Sequence, residues 1–164
     1  LSDGRLVVGI GVGPPLKAAE GETTRLDRHR SNAEIEYAAF GLRATLMFNL
    51  APGEYHTNVV LSVLAGRAMV VCPAGFADPA VARAIGTLYA PHLVELSAAQ
   101  KAAFAGNCIA LSPDRAWFSQ AGADALTPAQ VQTLADAGLA VAPVGLDEIE
   151  KAGGSLRCCV AEIY

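Results

Sequence analysis

Aromatic and charged side chains are both scarce in this 164-residue chain, at 6% and 17% of the residues. So little charge beside 52% hydrophobic residues excludes an intrinsically disordered chain, which requires the opposite balance. There are 12 Lys and Arg against 16 Asp and Glu, a net charge of −4, so no basic surface is on offer and a nucleic-acid partner is not expected. Long apolar runs are missing too. A membrane helix needs about eighteen apolar residues in a row, and the longest candidate, Val59 to Val71, is broken by Arg67, so no membrane partner is expected. No basic stretch precedes an apolar core near Leu1, so the pattern of a signal peptide is not seen. The four cysteines, two of them adjacent, have neither the spacing of a disulfide framework nor that of paired zinc ligands. A reducing compartment, the cytoplasm, and no bound metal are the expectation. No glycine-rich phosphate loop, dinucleotide fingerprint or Ser nucleophile elbow occurs either, and no cofactor is expected.

What the chain does have is abundant alanine and an alternation of strand-length apolar runs with helical patterns. Val7 to Val12 reads as a strand, and the polar stretch from Gly13 to Arg30 as a solvated loop. Ser31 with Glu34 forms a capping box ahead of a helical face of Ile35, Ala38, Ala39 and Leu42. Thr45 to Asn49 is a second strand. Thr57 to Leu64 and Ala68 to Cys72 then form a hairpin, followed by a helix from Pro79 to Tyr89 and a strand from Leu93 to Leu96. The same order recurs as strands Asn107 to Leu111 and Ala116 to Ser119, helix Pro128 to Ala137 and strand Leu139 to Val144. The offset from Ala68 to Ala116 equals that from His92 to Ala140, and the offset from Asn58 to Asn107 is one longer. Arg157 to Ile163 opens a third hairpin that the chain does not complete.

The pattern is an α/β strand–strand–helix–strand module, repeated with a period of about 48 residues. It predicts complete modules at 57–105 and 106–156, with partial modules at 1–56 and 157–164. The modules' first strands start with Thr57-Asn58-Val59, Gly106-Asn107-Cys108 and Arg157-Cys158-Cys159. If the modules surround an axis, Asn58, Asn107 and Cys158 face one interior. Each Asn alone is explained as a turn residue at a strand start; three polar residues in register are not.

Cys158 follows the tight turn Ala152-Gly153-Gly154-Ser155 and stands next to Arg157, whose guanidinium favours a thiolate. In a strand, neighbours point to opposite faces, so only one of Cys158 and Cys159 can look into a site. Cys72 and Cys108 have no such setting and read as small buried hydrophobes. His56 lies at a loop-to-strand junction in Gly53-Glu54-Tyr55-His56-Thr57-Asn58, where a rigid scaffold can hold a functional side chain. A cysteine and a histidine can act as nucleophile and general acid/base, although a pair this far apart in sequence occurs in many chains. In Phe104-Ala105-Gly106-Asn107, Gly106 reads as a helix C-cap and Asn107 as a polar group at the axis.

Together, Tyr55-His56-Thr57-Asn58-Val59, Phe104-Ala105-Gly106-Asn107 and Gly153-Gly154-Ser155-Leu156-Arg157-Cys158 resemble the arginine deiminase and amidinotransferase superfamily. Within it the likeness is greatest to the citrulline-utilisation hydrolases, which carry His-Thr-Asn, Phe-Ala-Gly-Asn and a terminal Gly-Gly-Ser-x-Arg-Cys; it covers Thr45 to Tyr164 well and Leu1 to Ala44 loosely. The resemblance implies a pentein, five such modules around a pseudo-fivefold axis with the site in the central channel. On that footing the chain holds about two and a half modules, the C-terminal portion of a longer protein, inactive alone. The lack of an initiator Met and the early apolar run fit that expectation.

The resemblance further implies that Cys158 attacks the planar carbon of a guanidino or ureido amino acid, that His56 is the acid/base, and that Asn58, Asn107 and Arg157 bind substrate. Relatives that act on a guanidinium have His-x-Asp where this chain has Asn58, which favours a neutral, citrulline-like group over arginine. An amidinotransferase with the same chemistry and a non-catalytic pentein binding module are the alternatives; the presence of both His56 and Cys158 counts against the second. The implied partner is a small guanidino or ureido amino acid, with a homo-oligomer of the full-length parent among the states allowed.

Overall fold

The computed structural model describes residues 9–12 and 46–161. The loop from Gly13 to Arg30, the helix expected after Ser31 and the last three residues lie outside the described residues. Strand β1 (Gly9–Val12) pairs in parallel with β2 (Leu46–Asn49). Two three-stranded sheets follow, and they share one topology. In the first, β3 (Leu61–Leu64) pairs antiparallel with β4 (Ala68–Val71), which pairs in parallel with β5 (Leu93–Glu95). In the second, β6 (Ile109–Ser112), β7 (Arg115–Ser119) and β8 (Ala140–Val144) repeat that order and those directions.

Each parallel crossover carries a helix that the sequence starts with a side-chain cap. Asp78 accepts from the Ala80 N–H at 2.9 Å ahead of α1 (Pro79–Gly86), with Pro79 at the first position, where no N–H is needed. After β5 comes the short α2 (Ala98–Ala102), and after β7 the short α3 (Gln120–Asp124) and α4 (Pro128–Asp136). Ser97 with Gln100 and Thr127 with Gln130 form reciprocal capping boxes on α2 and α4. The two capping glutamines also bond each other, Gln100 Nε2 donating to Gln130 Oε1 at 2.7 Å. A last short helix, α5 (Asp147–Glu150), precedes the C-terminal turn.

β4 is buried on both faces, as its unbroken Ala-Met-Val-Val requires. Met69 and Val71 pack with Phe48, Phe76, Ile85 and Tyr89. Ala68 and Val70 meet Val94, Phe118, Leu134 and Leu139 in a core shared by the two sheets. The hairpin tips are joined as well, Arg67 donating to the Pro113 carbonyl. No described helix is long and apolar enough to cross a membrane.

The structure departs from the sequence reading at the segments expected to begin strands. Thr57–Val59 is a 3-10 turn, and the strand starts only at Leu61. Leu156–Cys159 is likewise a 3-10 turn, not the opening of a hairpin. Asn107 lies in the connection ahead of β6. β-branched Thr57, Val59 and Val60 favour a strand locally, but tertiary contacts described below bend the chain there.

Candidate active site

Gly106 sets the spacing at the centre of the site. A Cβ on it would lie 2.4 Å from the Val59 carbonyl oxygen, so only glycine lets the two backbones approach this closely. The chain reaches that point through Phe104, which takes a left-handed φ of 59° and accepts from the Asn107 N–H at 2.9 Å. Ser62 fixes the same spot from β3, its hydroxyl donating to the Gly106 carbonyl at 2.8 Å.

Asn107 is thereby delivered, wholly buried, between two turns distant in sequence. Its Nδ2 donates to the Asn58 carbonyl at 2.8 Å and to the Cys158 sulfur at 3.4 Å, while its Oδ1 accepts from the Arg157 N–H at 2.9 Å. One amide thus ties Thr57–Val59 to Leu156–Cys159 and uses both donor hydrogens and an acceptor in doing so. Asn107, expected as a substrate contact, is wholly buried here and spends its amide on these two turns.

Cys158 itself is exposed, and its thiol faces the Asn58 Oδ1 at 3.8 Å. Gly154 packs against it; a Cβ there would sit 3.9 Å from the sulfur. Because the segment is a 3-10 turn with three residues per turn, Arg157 and Val160 share one side, and both line an open cavity of about 780 Å³. The Cys158 thiol faces the two asparagines, of which Asn58 also lines that cavity. Cys159, also exposed, makes no side-chain hydrogen bond among the described residues. The face-by-face alternation expected of a strand is replaced here by a turn.

His56 lines the same cavity, together with Asn58, Ser62 and Arg157. The structure does not bring its ring within hydrogen-bond reach of Cys158 among the described residues; the two flank the space that Asn58 joins. Within the cavity wall, Cys108 is 1% exposed and burial pushes its thiol up to about 12, against smaller opposing effects of Ser62, its own backbone and the Arg157 guanidinium. It reads as a core residue, as expected, and so does buried Cys72. Among the described residues no three His, Cys, Asp or Glu side chains group as a metal site.

Two contacts escape sequence reasoning. Glu54 forms an ion pair with Lys101 of α2, at side-chain exposures of 12% and 25%. The Tyr55 hydroxyl donates to the Gly153 carbonyl, in the turn that leads to Cys158. Desolvation raises the Tyr55 hydroxyl above its ordinary range, and the charges of Cys158 and Glu54 add to the effect. The motif around His56 contains Tyr55, but nothing in its spacing announces a partner 98 residues away.

The family model described as N,N dimethylarginine dimethylhydrolase, eukaryotic, matches residues 23–164. Among curated proteins none matches. Among solved structures, the product-bound N-terminal domain of ArgZ, an arginine dihydrolase from the ornithine-ammonia cycle in cyanobacteria, superposes with a TM-score of 0.67 at 21% identity, over 92% of this chain and 48% of that one. A variant of that domain covalently bound to a reaction intermediate gives 0.67 at 22%, with coverages of 92% and 48%. A dimethylarginine dimethylaminohydrolase variant, held as an adduct with S-methyl-L-thiocitrulline, gives 0.59 at 17%, covering 93% of this chain and 50% of that one. The chain therefore spans about half the length of these solved relatives. They are pentein-fold proteins, and the repeated sheet topology described above is of that kind. Motifs, fold and the match over residues 23–164 agree, and the chain belongs to the N,N-dimethylarginine dimethylhydrolase family of the pentein, arginine-modifying superfamily.

Proposed function

We propose that the full-length protein hydrolyses a C–N bond of a guanidino amino acid, with Cys158 as nucleophile. The observation that carries this is the convergence of Asn58 and Asn107 on one exposed thiol beside a cavity that His56 and Arg157 line. The Cys158 thiolate attacks the planar carbon, and an S–C bond forms. His56 delivers a proton to the leaving nitrogen, the C–N bond breaks, and an amine departs. His56, now neutral, takes a proton from water, which adds to the same carbon; the C–S bond breaks and the thiol is restored. The product is the corresponding ureido amino acid. Covalent adducts of the solved relatives support this route.

Asn58 offers the substrate one acceptor and one donor group, Arg157 a cationic contact from the cavity wall, and Asn107 acts from beneath by positioning the first two segments. The family name makes Nω-methylated arginine the first substrate to test. A ureido amino acid is the second reading, and the neutral Asn58 favours it over a substrate that requires a carboxylate partner.

In the full-length protein, Cys158→Ser lowers amine release from the best of dimethylarginine, arginine, citrulline and agmatine by on the order of 10³-fold or more. Cys159→Ser stays within about twofold of wild type. Undiminished turnover in Cys158→Ser removes the nucleophile assignment, and a severe loss confined to Cys159→Ser transfers it to the neighbour.

A further inference from the structure

We infer that Tyr55 is a positioning residue of this site, a latch whose hydroxyl sets the separation between the acid/base and the nucleophile. The inference rests on the reading of Cys158 and His56 given above. The backbone at His56 is extended, with φ −153° and ψ 139°, and successive side chains in extended backbone point to opposite sides. Tyr55 reaches across to the Gly153 carbonyl, which sends His56 the other way, into the cavity that it lines. Gly153 in turn opens the tight turn in which Gly154 packs against Cys158 and the Ser155 carbonyl accepts from the Cys158 N–H at 3.0 Å. A single hydrogen bond therefore connects the residue next to the acid/base with the turn that carries the nucleophile.

Other contacts around this bond hold each partner from outside, and the Asn58–Cys158 and Asn107 contacts join the two turns from beneath, while Tyr55 makes the link to Gly153. On one side, the Glu54–Lys101 ion pair anchors the loop to α2, and the Glu54 N–H donates to the Ala51 carbonyl at 3.1 Å. On the other, the buried Ser155 hydroxyl donates to Glu150 Oε1 at 2.7 Å, securing the turn to α5. Asn107 connects Thr57–Val59 with Leu156–Cys159 from beneath through its bonds to the Asn58 carbonyl and the Arg157 N–H, not through His56 or Gly153. Tyr55 makes its connection at the surface, 52% exposed. A ring this exposed contributes little to the core, so its hydroxyl is the part that acts.

Geometry of this kind costs turnover when it loosens, because a misplacement of about an ångström between reacting groups can lower rate by as much as 10²-fold. Substrate binding and the intrinsic reactivity of the thiol do not depend on the same distance. In the full-length protein, Tyr55→Phe is therefore expected to lower kcat by roughly tenfold, with KM and the iodoacetamide alkylation rate of Cys158 each within about twofold of wild type. The thermal midpoint stays close to that of the parent, and Tyr55→Ala gives the same kcat as Tyr55→Phe. A kcat within twofold of wild type in Tyr55→Phe overturns the latch. So does a fall in alkylation that matches the fall in kcat, since Tyr55 would then act on the thiol alone. If Cys158→Ser keeps its turnover, the reading of the site fails first; if only the Tyr55→Phe result fails, the site stands and the latch does not.

Discussion

The side-chain amide of Asn107 donates to the sulfur of Cys158 at 3.4 Å across 51 residues of sequence. The same nitrogen holds the Asn58 carbonyl at 2.8 Å, so the thiol shares its hydrogen-bond donor with the backbone of the turn that carries Asn58.

Removing that amide is expected to be costly in two distinguishable ways. Asn107→Ala leaves the Asn58 carbonyl and the Arg157 N–H without their partner and lowers stability by roughly 2–4 kcal/mol, measured by urea denaturation. Asn107→Asp keeps an acceptor for the Arg157 N–H but turns a negative oxygen toward the sulfur. It slows alkylation of Cys158 at neutral pH relative to wild type and to Asn107→Ala. Equal alkylation rates in all three proteins would show that the amide has no hold on the thiol.

Gly106 tests the close approach directly. A methyl group there meets the Val59 carbonyl at 2.4 Å, whereas one on Gly145 meets nothing within 4 Å. Gly106→Ala is expected to lose roughly 1–3 kcal/mol through forced backbone shifts, and Gly145→Ala to change stability by less than about 1 kcal/mol. Thermal or urea unfolding of the two variants checks the contrast, and comparable losses would refute it.

Cys108 contributes a pH dependence with a defined sign. Its thiol is raised by burial from 9.0 to about 12, so above pH 9 the unfolded chain gives up a proton that the folded chain keeps. The stability it supports is complete below pH 9 and erodes by up to about 1.4 kcal/mol per pH unit as pH rises toward 12. Cys108→Ala flattens the decline relative to wild type over that window. Parallel stability curves for the two proteins would place the titration elsewhere.

The repeat was legible because hydrophobic patterning fixes strands and helices locally. β6 to β8 follow β3 to β5 at a nearly constant offset, with the caps at Ser97 and Thr127 serving the helices between them. Asn58, Asn107, Arg157 and Cys158 were legible as a group from their register and from the motifs. Less legible was the form of the chain around them. Thr57–Val59 and Leu156–Cys159 bend into 3-10 turns because Gly106 and Asn107 draw them in from another module, and β-propensity carries no information about such a contact. Asn107 reads as a channel residue because an amide is as suited to substrate as to backbone, and its burial between the two turns has no signature in sequence. Tyr55 and Lys101 were silent for the same reason, since their partners lie far away in sequence.

The two hairpins differ in length at their tips, Ala65-Gly66-Arg67 in the first and Pro113-Asp114 in the second. The offset from Leu61 to Ile109 is accordingly one longer than that from Ala68 to Arg115 beyond the tips. A second one-residue difference lies at the near end, where Asn58 precedes Leu61 by three residues and Asn107 precedes Ile109 by two, and the pairing of β6 with β7 is irregular between Ile109 and Ser112. The first tip, through Ala65 and Gly66, forms part of the wall of the cavity that His56 and Arg157 line, so an insertion engineered at 65–67 is expected to reach the substrate side, whereas one at 113–114, which is no part of that wall, should be inherited by the periphery alone.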